Sequence, residues 1–131
     1  MRVAIVDDDA SVCRSIMRLL RQVGMSPSAF ESAERLLASR PYAFDCLLVD
    51  VQLGAGMSGL ELHRRLLSLG NQTPVIYLTA SDDPPTEAAA RLLGCAGFIQ
   101  KGAPPDLMLK ALLRVQEELL LAATGKAGGA A

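Results

Sequence analysis

At 131 residues, half of them apolar and 21% charged, the chain is long enough to bury one core and too apolar to be disordered. Its formal net charge of −1 supplies no global field toward nucleic acid, and no apolar run approaches the roughly 20 residues that cross a bilayer. The N-terminus passes from four apolar residues straight into acids, which is not a signal peptide.

Short apolar runs alternate with longer helical periods along the chain. Residues 3–6, VAIV, read as a first strand ending in Asp7, Asp8 and Asp9. A helix follows, with Val12, Ile16, Leu19, Leu20 and Val23 on one stripe and Gly24 as its stop. Residues 28–30 form a weak second strand, and a short helix through Leu36 and Leu37 halts before Pro41. CLLVD, residues 46–50, is a third strand with Asp50 at its end. A Gly-rich loop then leads into a helix opened by Ser58 and Glu61 as a capping box and closed by Gly70. PVIYLTA, residues 74–80, carries a fourth strand to Thr79, and Pro84 suits the first turn of a fourth helix that stops at Gly94. AGFIQK, residues 96–101, is a fifth strand ending at Lys101. A fifth helix covers 104–122, and 123–131 read as a flexible tail or the start of a linker.

Five β-α units with apolar strands call for an α/β fold, a parallel sheet with helices on both faces. Ligands of such sheets bind beyond the carboxyl ends of the strands. Those ends carry Asp7 and Asp8, Asp50, Thr79 and Lys101, and only the second strand contributes nothing. A 2-1-3-4-5 order makes that strand an edge and gathers the rest into one cleft. Crowded carboxylates raise one another's pKa and cost stability. A hard divalent cation, Mg²⁺ or Mn²⁺, compensates for them through oxygen ligands. A carboxylate is also a nucleophile toward phosphorus, with metal, ammonium and hydroxyl groups to neutralise the phosphoryl oxygens.

The ordered motifs VDDD, LLVDV, MSGLEL, YLTA and FIQK resemble the receiver domain of two-component response regulators, over about residues 2–122. The resemblance implies a flavodoxin-like, doubly wound five-stranded parallel sheet of order 2-1-3-4-5 with five helices, the receiver domain being 1–122. It implies Asp50 as phosphoacceptor, and Asp7, Asp8 and Asp50 as metal-binding acids with the backbone carbonyl of Gln52. It further implies Thr79 as switch hydroxyl, Ala80 as the small residue that leaves donor access open, Lys101 as the phosphate-pairing lysine and Phe98 as switch aromatic. Such a domain is a cytoplasmic regulator rather than an enzyme, catalysing only its own phosphorylation and slow dephosphorylation. It takes its phosphoryl group from a histidine kinase or phosphotransfer protein, and itself binds neither nucleic acid nor membrane. Its output face is formed by helix 4, strand 5 and helix 5.

Two features depart from the family pattern. Gly102 stands where proline usually follows the lysine, so a trans Lys101–Gly102 peptide is expected. The LGAG loop after Asp50 is one residue longer and lacks proline, which makes 53–57, like 101–103, mobile. Two other functions stay open: a degenerate receiver that binds partners without phosphorylation, and a small haloacid-dehalogenase-like phosphatase. The phosphatase would use Asp7-x-Asp9, Thr79 and Lys101, but only Asp106 is available as its further acid.

The remaining polar residues have plainer readings. Asp9 and Asp45 are caps, His63 is a solvated helix residue, and Phe98 serves equally well as core. Cys13, Cys46 and Cys95 form no C-x-x-C pair and read as reduced, mostly buried small hydrophobes; with a single histidine, zinc is not expected. On the fifth helix Met108, Ala111, Leu112, Val115 and Leu119 should face the sheet. Leu109, Leu113 and Leu120 form a second apolar stripe, beyond the roughly 100° arc that packing on one sheet requires. That stripe reads as an interface, in a homodimer or with a partner.

Overall fold

Alternate residues of the buried strands point to opposite faces, which sorts the core into two layers. The computed structural model describes the backbone of residues 1–80 and 82–129, and side chains up to residue 124. The strands are β1 (Arg2–Val6), β2 (Ser26–Phe30), β3 (Cys46–Asp50), β4 (Val75–Thr79) and β5 (Gly97–Gln100). They pair in parallel in the order β2-β1-β3-β4-β5. The helices are α1 (Ala10–Gln22), α2 (Ala33–Ala38), α3 (Gly59–Ser68), α4 (Pro84–Leu92) and α5 (Pro105–Gly129).

On one face Val3, Ile5, Cys46, Leu48, Ile76 and Leu78 meet Cys13 and Leu20 of α1 and Met108, Leu112 and Val115 of α5. On the other, Ala4, Val6, Leu47, Val49, Val75 and Tyr77 meet residues of α2, α3 and α4, among them Leu36, Leu62, Leu66 and Ala90. Adjacent strand residues point to opposite faces, so a strand apolar throughout needs helices on both sides. Burial of this core is the main favourable term, at roughly 25 cal/mol per Å² of apolar surface removed from water.

Local signals set the helix starts. Asp9 caps α1 by accepting from the amides of Ser11 and Val12. Ser32 caps α2 through Arg35 N, Ser58 caps α3 through Glu61 N, and Asp83 caps α4 through Thr86 N. Asp45 accepts from Arg2 N at 2.7 Å, fastening β1 to the turn before β3. The described residues contain no cis peptide bond, so the Lys101–Gly102 link is trans. Cys13 and Cys46 are buried, Cys95 is half-buried, and all are free thiols. Burial pushes the Cys46 thiol up to about 12, which keeps it protonated.

Three local expectations are corrected. The face of α1 centres on Cys13 and Leu20, whereas Val23 is the C-cap and is 47% exposed. Helix α5 continues to Gly129 rather than ending at Ala122, so the expected tail from residue 123 begins as helix; residues 130 and 131 lie outside the described residues. A helix of 25 residues is about 37 Å long, while a five-residue strand spans about 17 Å. The far turns therefore pass the edge of the sheet, and Leu119, expected against it, is 38% exposed.

The third correction is His63, which is 4% exposed rather than solvated. Its Nδ1 lies 3.0 Å from the Tyr77 hydroxyl, which also reaches Gly59 O at 3.4 Å. Burial lowers the pKa of His63, so the imidazole is neutral in the fold and takes up its proton more readily in the unfolded chain. Its contribution is therefore lost as pH falls below about 6.5. We expect His63→Leu to flatten the melting-temperature profile between pH 7.5 and 5. An equally steep profile in the variant would remove His63 as the cause.

Candidate functional site

The strand ends meet because the register holds them level. Val6 lies opposite Val49, Asp50 opposite Leu78, and Thr79 opposite Gln100. The residues just past or at these ends therefore converge on one edge. Asp7 and Asp50 are 1% and 6% exposed, Asp8 faces solvent, and Thr79 is buried.

Each buried carboxylate is held at both oxygens. Asp7 Oδ1 accepts from Asp9 N at 2.9 Å, and Asp50 Oδ1 accepts from Gln52 N at 3.1 Å. Lys101 Nζ sits between the other two oxygens, 2.7 Å from Asp7 Oδ2 and 2.9 Å from Asp50 Oδ2. Asp7 Oδ2 has no aligned hydrogen-bond donor among the described residues and meets the ammonium as an ion pair. The turn that carries the lysine is fastened by Lys101 N donating to Thr79 O at 2.7 Å and Ala103 N to Gln100 O at 3.0 Å.

Burial raises the pKa of Asp50 above the ordinary carboxylate value, and the charge of Asp7 adds to this. The Lys101 and Gln52 hydrogen bonds oppose it. For Lys101, burial favours the neutral amine, but the carboxylates of Asp7 and Asp50 against the ammonium outweigh it and raise the pKa. The ammonium is thus charged at any working pH. Asp7, Asp8 and Asp50 each offer a carboxylate oxygen within 4.8 Å of the others. Three carboxylates against one ammonium leave excess negative charge, and the all-oxygen donor set with a buried, poorly donated oxygen fits a hard divalent cation.

The expected site residues do not all converge. Asp7, Asp8, Asp50 and Lys101 cluster directly, with Thr79 at the neighbouring strand end. Ala80 is exposed at the rim. Gln52 is exposed, with its amide turned to Asp50. Phe98 is half-buried in the layer of α2, α3 and α4, its ring centroid 6.2 Å from that of Tyr77. Leu109 is half-buried, while Leu113 and Leu120 are 52% and 65% exposed on α5. Asp9 is engaged as the α1 cap, and Asp106 lies in the first turn of α5, 3.7 Å from Lys110. Neither completes a phosphatase site.

Two contributors escaped the sequence reading. Gly59 brings the start of α3 against the end of β3, where a Cβ would clash with the backbone oxygen of Asp50. The MSGLEL motif was the available signal for it. Glu34 of α2 reaches across to the loop after Asp50, its Oε1 accepting from Met57 N at 2.8 Å. No local pattern marks that contact.

The geometry agrees with the comparisons. The response regulator receiver domain family model matches residues 3–113. Nodulation protein W of Bradyrhizobium diazoefficiens is 35% identical over 116 residues, 88% of this chain and 51% of that protein. The transcriptional regulatory protein FixJ of Rhizobium meliloti is 33% identical over 120 residues, 92% of this chain and 59% of that protein. The chain thus spans about half the length of such relatives. Among solved structures, FixJ-N superposes with a TM-score of 0.80 at 32% identity, covering 88% of this chain and 93% of that one. Chemotaxis protein CheY4 of Vibrio cholerae gives 0.77 at 28% identity, covering 87% and 97%. With its sheet order, its ordered strand-end residues and these relatives in agreement, the chain belongs to the receiver domains of two-component response regulators, signalling domains rather than classical enzymes.

Proposed function

We propose that the domain is a phosphoacceptor switch in which Asp50 takes a phosphoryl group from a histidine kinase or phosphotransfer protein. The observation that carries this reading is the placement of Lys101 Nζ between Asp50 and Asp7, with Asp8 beside them. An Asp50 carboxylate oxygen attacks phosphorus. The O–P bond forms as the donor's bond to phosphorus breaks, and the bonding pair leaves with the donor. The Lys101 ammonium, already paired with Asp50, turns to a phosphoryl oxygen, and the Thr79 hydroxyl donates to another. Ala80 at the rim leaves the approach open. A divalent cation, Mg²⁺ or Mn²⁺, would be held by Asp7, Asp8, Asp50 and the backbone carbonyl of Gln52, and supplies charge neutralisation for the phosphoryl oxygens. The presence of the whole set, Asp7, Asp8, Asp50, Thr79 and Lys101, at one sheet edge weighs against a receiver that works without phosphorylation. The test is mass spectrometry after acetyl phosphate and Mg²⁺. A Mg²⁺-dependent, base-labile adduct on Asp50 supports the reading, and no adduct overturns it.

Cation binding has its own thermodynamic signature, because only the folded chain gathers these acids. At a hundred times the dissociation constant, linkage stabilises by about 2.7 kcal/mol. We expect Mg²⁺ to raise the melting temperature and Asp8→Ala to remove most of that gain. An unchanged wild-type melting temperature at millimolar Mg²⁺ would refute the metal site.

The receiver unit is taken as 1–122, with residues from 123 continuing α5 as the start of a linker. Output runs through α4, β5 and α5, where Phe98 and Lys101 lie on or beside β5. The exposed Leu113 and Leu120, with Leu109, form the contact for a homodimer or partner. Leu113→Glu should render any dimer monomeric while leaving the fold intact. Sedimentation showing only monomers at high concentration, phosphorylated or not, would eliminate the homodimer. No helix among the described residues is long and apolar enough to cross a membrane. A cytoplasmic location accords with partnership with a kinase.

A further inference from the structure

The loop between Asp50 and Gly59 contains two glycines in the left-handed region, Gly54 at φ 70° and Gly56 at φ 95°. Such residues hold a shape poorly by themselves, since glycine loses the most freedom on ordering. The structure supplies anchors from outside the loop. Leu53 is 4% exposed, packed in the layer of α2, α3 and α4. A Cβ at Gly54 would stand 2.9 Å from Asp8 Oδ2, so the backbone there runs against an acid of the site. A Cβ at Gly56 would stand 2.9 Å from Glu34 Oε1, the same oxygen that accepts from Met57 N at 2.8 Å.

Glu34 is well placed for this contact. It sits in the first turn of α2, which Ser32 caps and which Ala33 and Leu36 bury against the sheet. Its neighbour Arg35 pairs with Glu31, 3.3 Å away, and no ion pair involves Glu34 among the described residues. The Met57 amide, followed by the backbone amide of Glu34 itself, favours the ionised carboxylate and lowers its pKa. A charged acceptor is therefore aimed at a loop amide 23 residues away in sequence. The expected mobility of 53–57 is opposed at both Leu53 and Met57.

We propose that Glu34 is a positioning residue of the phosphoacceptor site, clasping the lengthened loop so that its backbone stays set beside Asp8 and Asp50. This rests on the phosphoacceptor reading for its consequence, but the clasp is separately measurable. Glu34 touches no reacting atom. It acts through the loop whose Gln52 amide holds Asp50 and whose Gly54 borders Asp8.

The test uses the full chain with Glu34→Ala and Glu34→Gln, the glutamine keeping an acceptor oxygen. Met57 amide exchange reports the clasp. A Mg²⁺ titration followed through the amide shifts of Asp8 and Gln52 reports the site without any phosphorylation. For Glu34→Ala we expect faster Met57 exchange and a Mg²⁺ midpoint raised by about threefold or more. We expect slower Asp50 labelling from acetyl phosphate below saturating Mg²⁺, with Glu34→Gln restoring most of each. A purely structural role would lower the melting temperature and leave the Mg²⁺ midpoint unmoved. An unmoved midpoint, or unchanged Met57 exchange, overturns the proposal. A wild-type chain that binds Mg²⁺ but is never labelled at Asp50 overturns the phosphoacceptor reading instead, while the midpoint still decides the clasp.

Discussion

Asp50→Asn is expected to reduce phosphoryl labelling to background while leaving the fold intact. Asparagine keeps the shape of the side chain and an oxygen for the Gln52 amide, 3.1 Å from Asp50 Oδ1. It lacks the anionic oxygen that attacks phosphorus. The same change should slightly raise the stability of the unphosphorylated protein at neutral pH. Burial, with the Asp7 charge, raises the Asp50 pKa, so the folded chain binds this proton more readily than the unfolded chain. The charged form is therefore penalised at neutral pH, and the penalty is relieved as pH falls through the folded pKa. The melting temperature of the variant should exceed that of the wild type at pH 7, and the gap should shrink toward about pH 4. Labelling that survives in Asp50→Asn would move the acceptor elsewhere, whatever the stability shows.

Lys101→Met is expected to give the largest loss of stability among single changes at the site. The methionine retains the apolar stem but removes the ammonium that lies 2.7 Å from Asp7 Oδ2 and 2.9 Å from Asp50 Oδ2. Two buried carboxylates are then left facing each other without a counter-charge. Removing one partner of a fully buried pair costs about 3–5 kcal/mol. The Lys101 side chain is 23% exposed, so solvent screens part of this and about 2 kcal/mol is expected. For a chain of this size that is roughly 6–10 °C in melting temperature. Mg²⁺ should recover part of the loss, and its stabilisation should exceed that in the wild type. A divalent cation and the ammonium neutralise the same oxygens, so deleting one raises the demand for the other. Thermal melts of both proteins with and without Mg²⁺ measure this coupling. An equal Mg²⁺ shift in the two would mean that the lysine and the cation do not share those carboxylates.

Much of the fold was legible because its signals are local. The apolar strands, the Asp9, Ser58 and Pro84 starts of helices, and the stops at Gly24, Gly70 and Gly94 each depend on residues a few positions apart. The strand order followed from asking which strand ends carry polar chemistry, and the observed order is the same. The clustering of Asp7, Asp8, Asp50 and Lys101 then followed from a level register. Local pattern was less reliable where several apolar residues competed for one face. On α1 it found Leu20 but favoured Val23 over Cys13, yet Cys13 is buried with Leu20 while Val23 is exposed.

What the sequence alone determined was the order of the elements, the layers of the sheet and the identities of the residues at its carboxyl edge, because periodicity, caps and turns act over one or two turns of chain. Only the tertiary structure decided how particular polar groups are satisfied. His63 is buried because Tyr77, on another element, supplies a hydroxyl 3.0 Å from its ring. The Met57 amide of the glycine-rich loop has its acceptor in Glu34, two elements upstream. Leu119 is exposed because α5 outruns the sheet. For His63 and the loop the deciding partner is remote in sequence, 14 and 23 residues away. A buried or ordered polar group needs its hydrogen bond made by whatever the fold brings near, and local pattern carries no record of that neighbour.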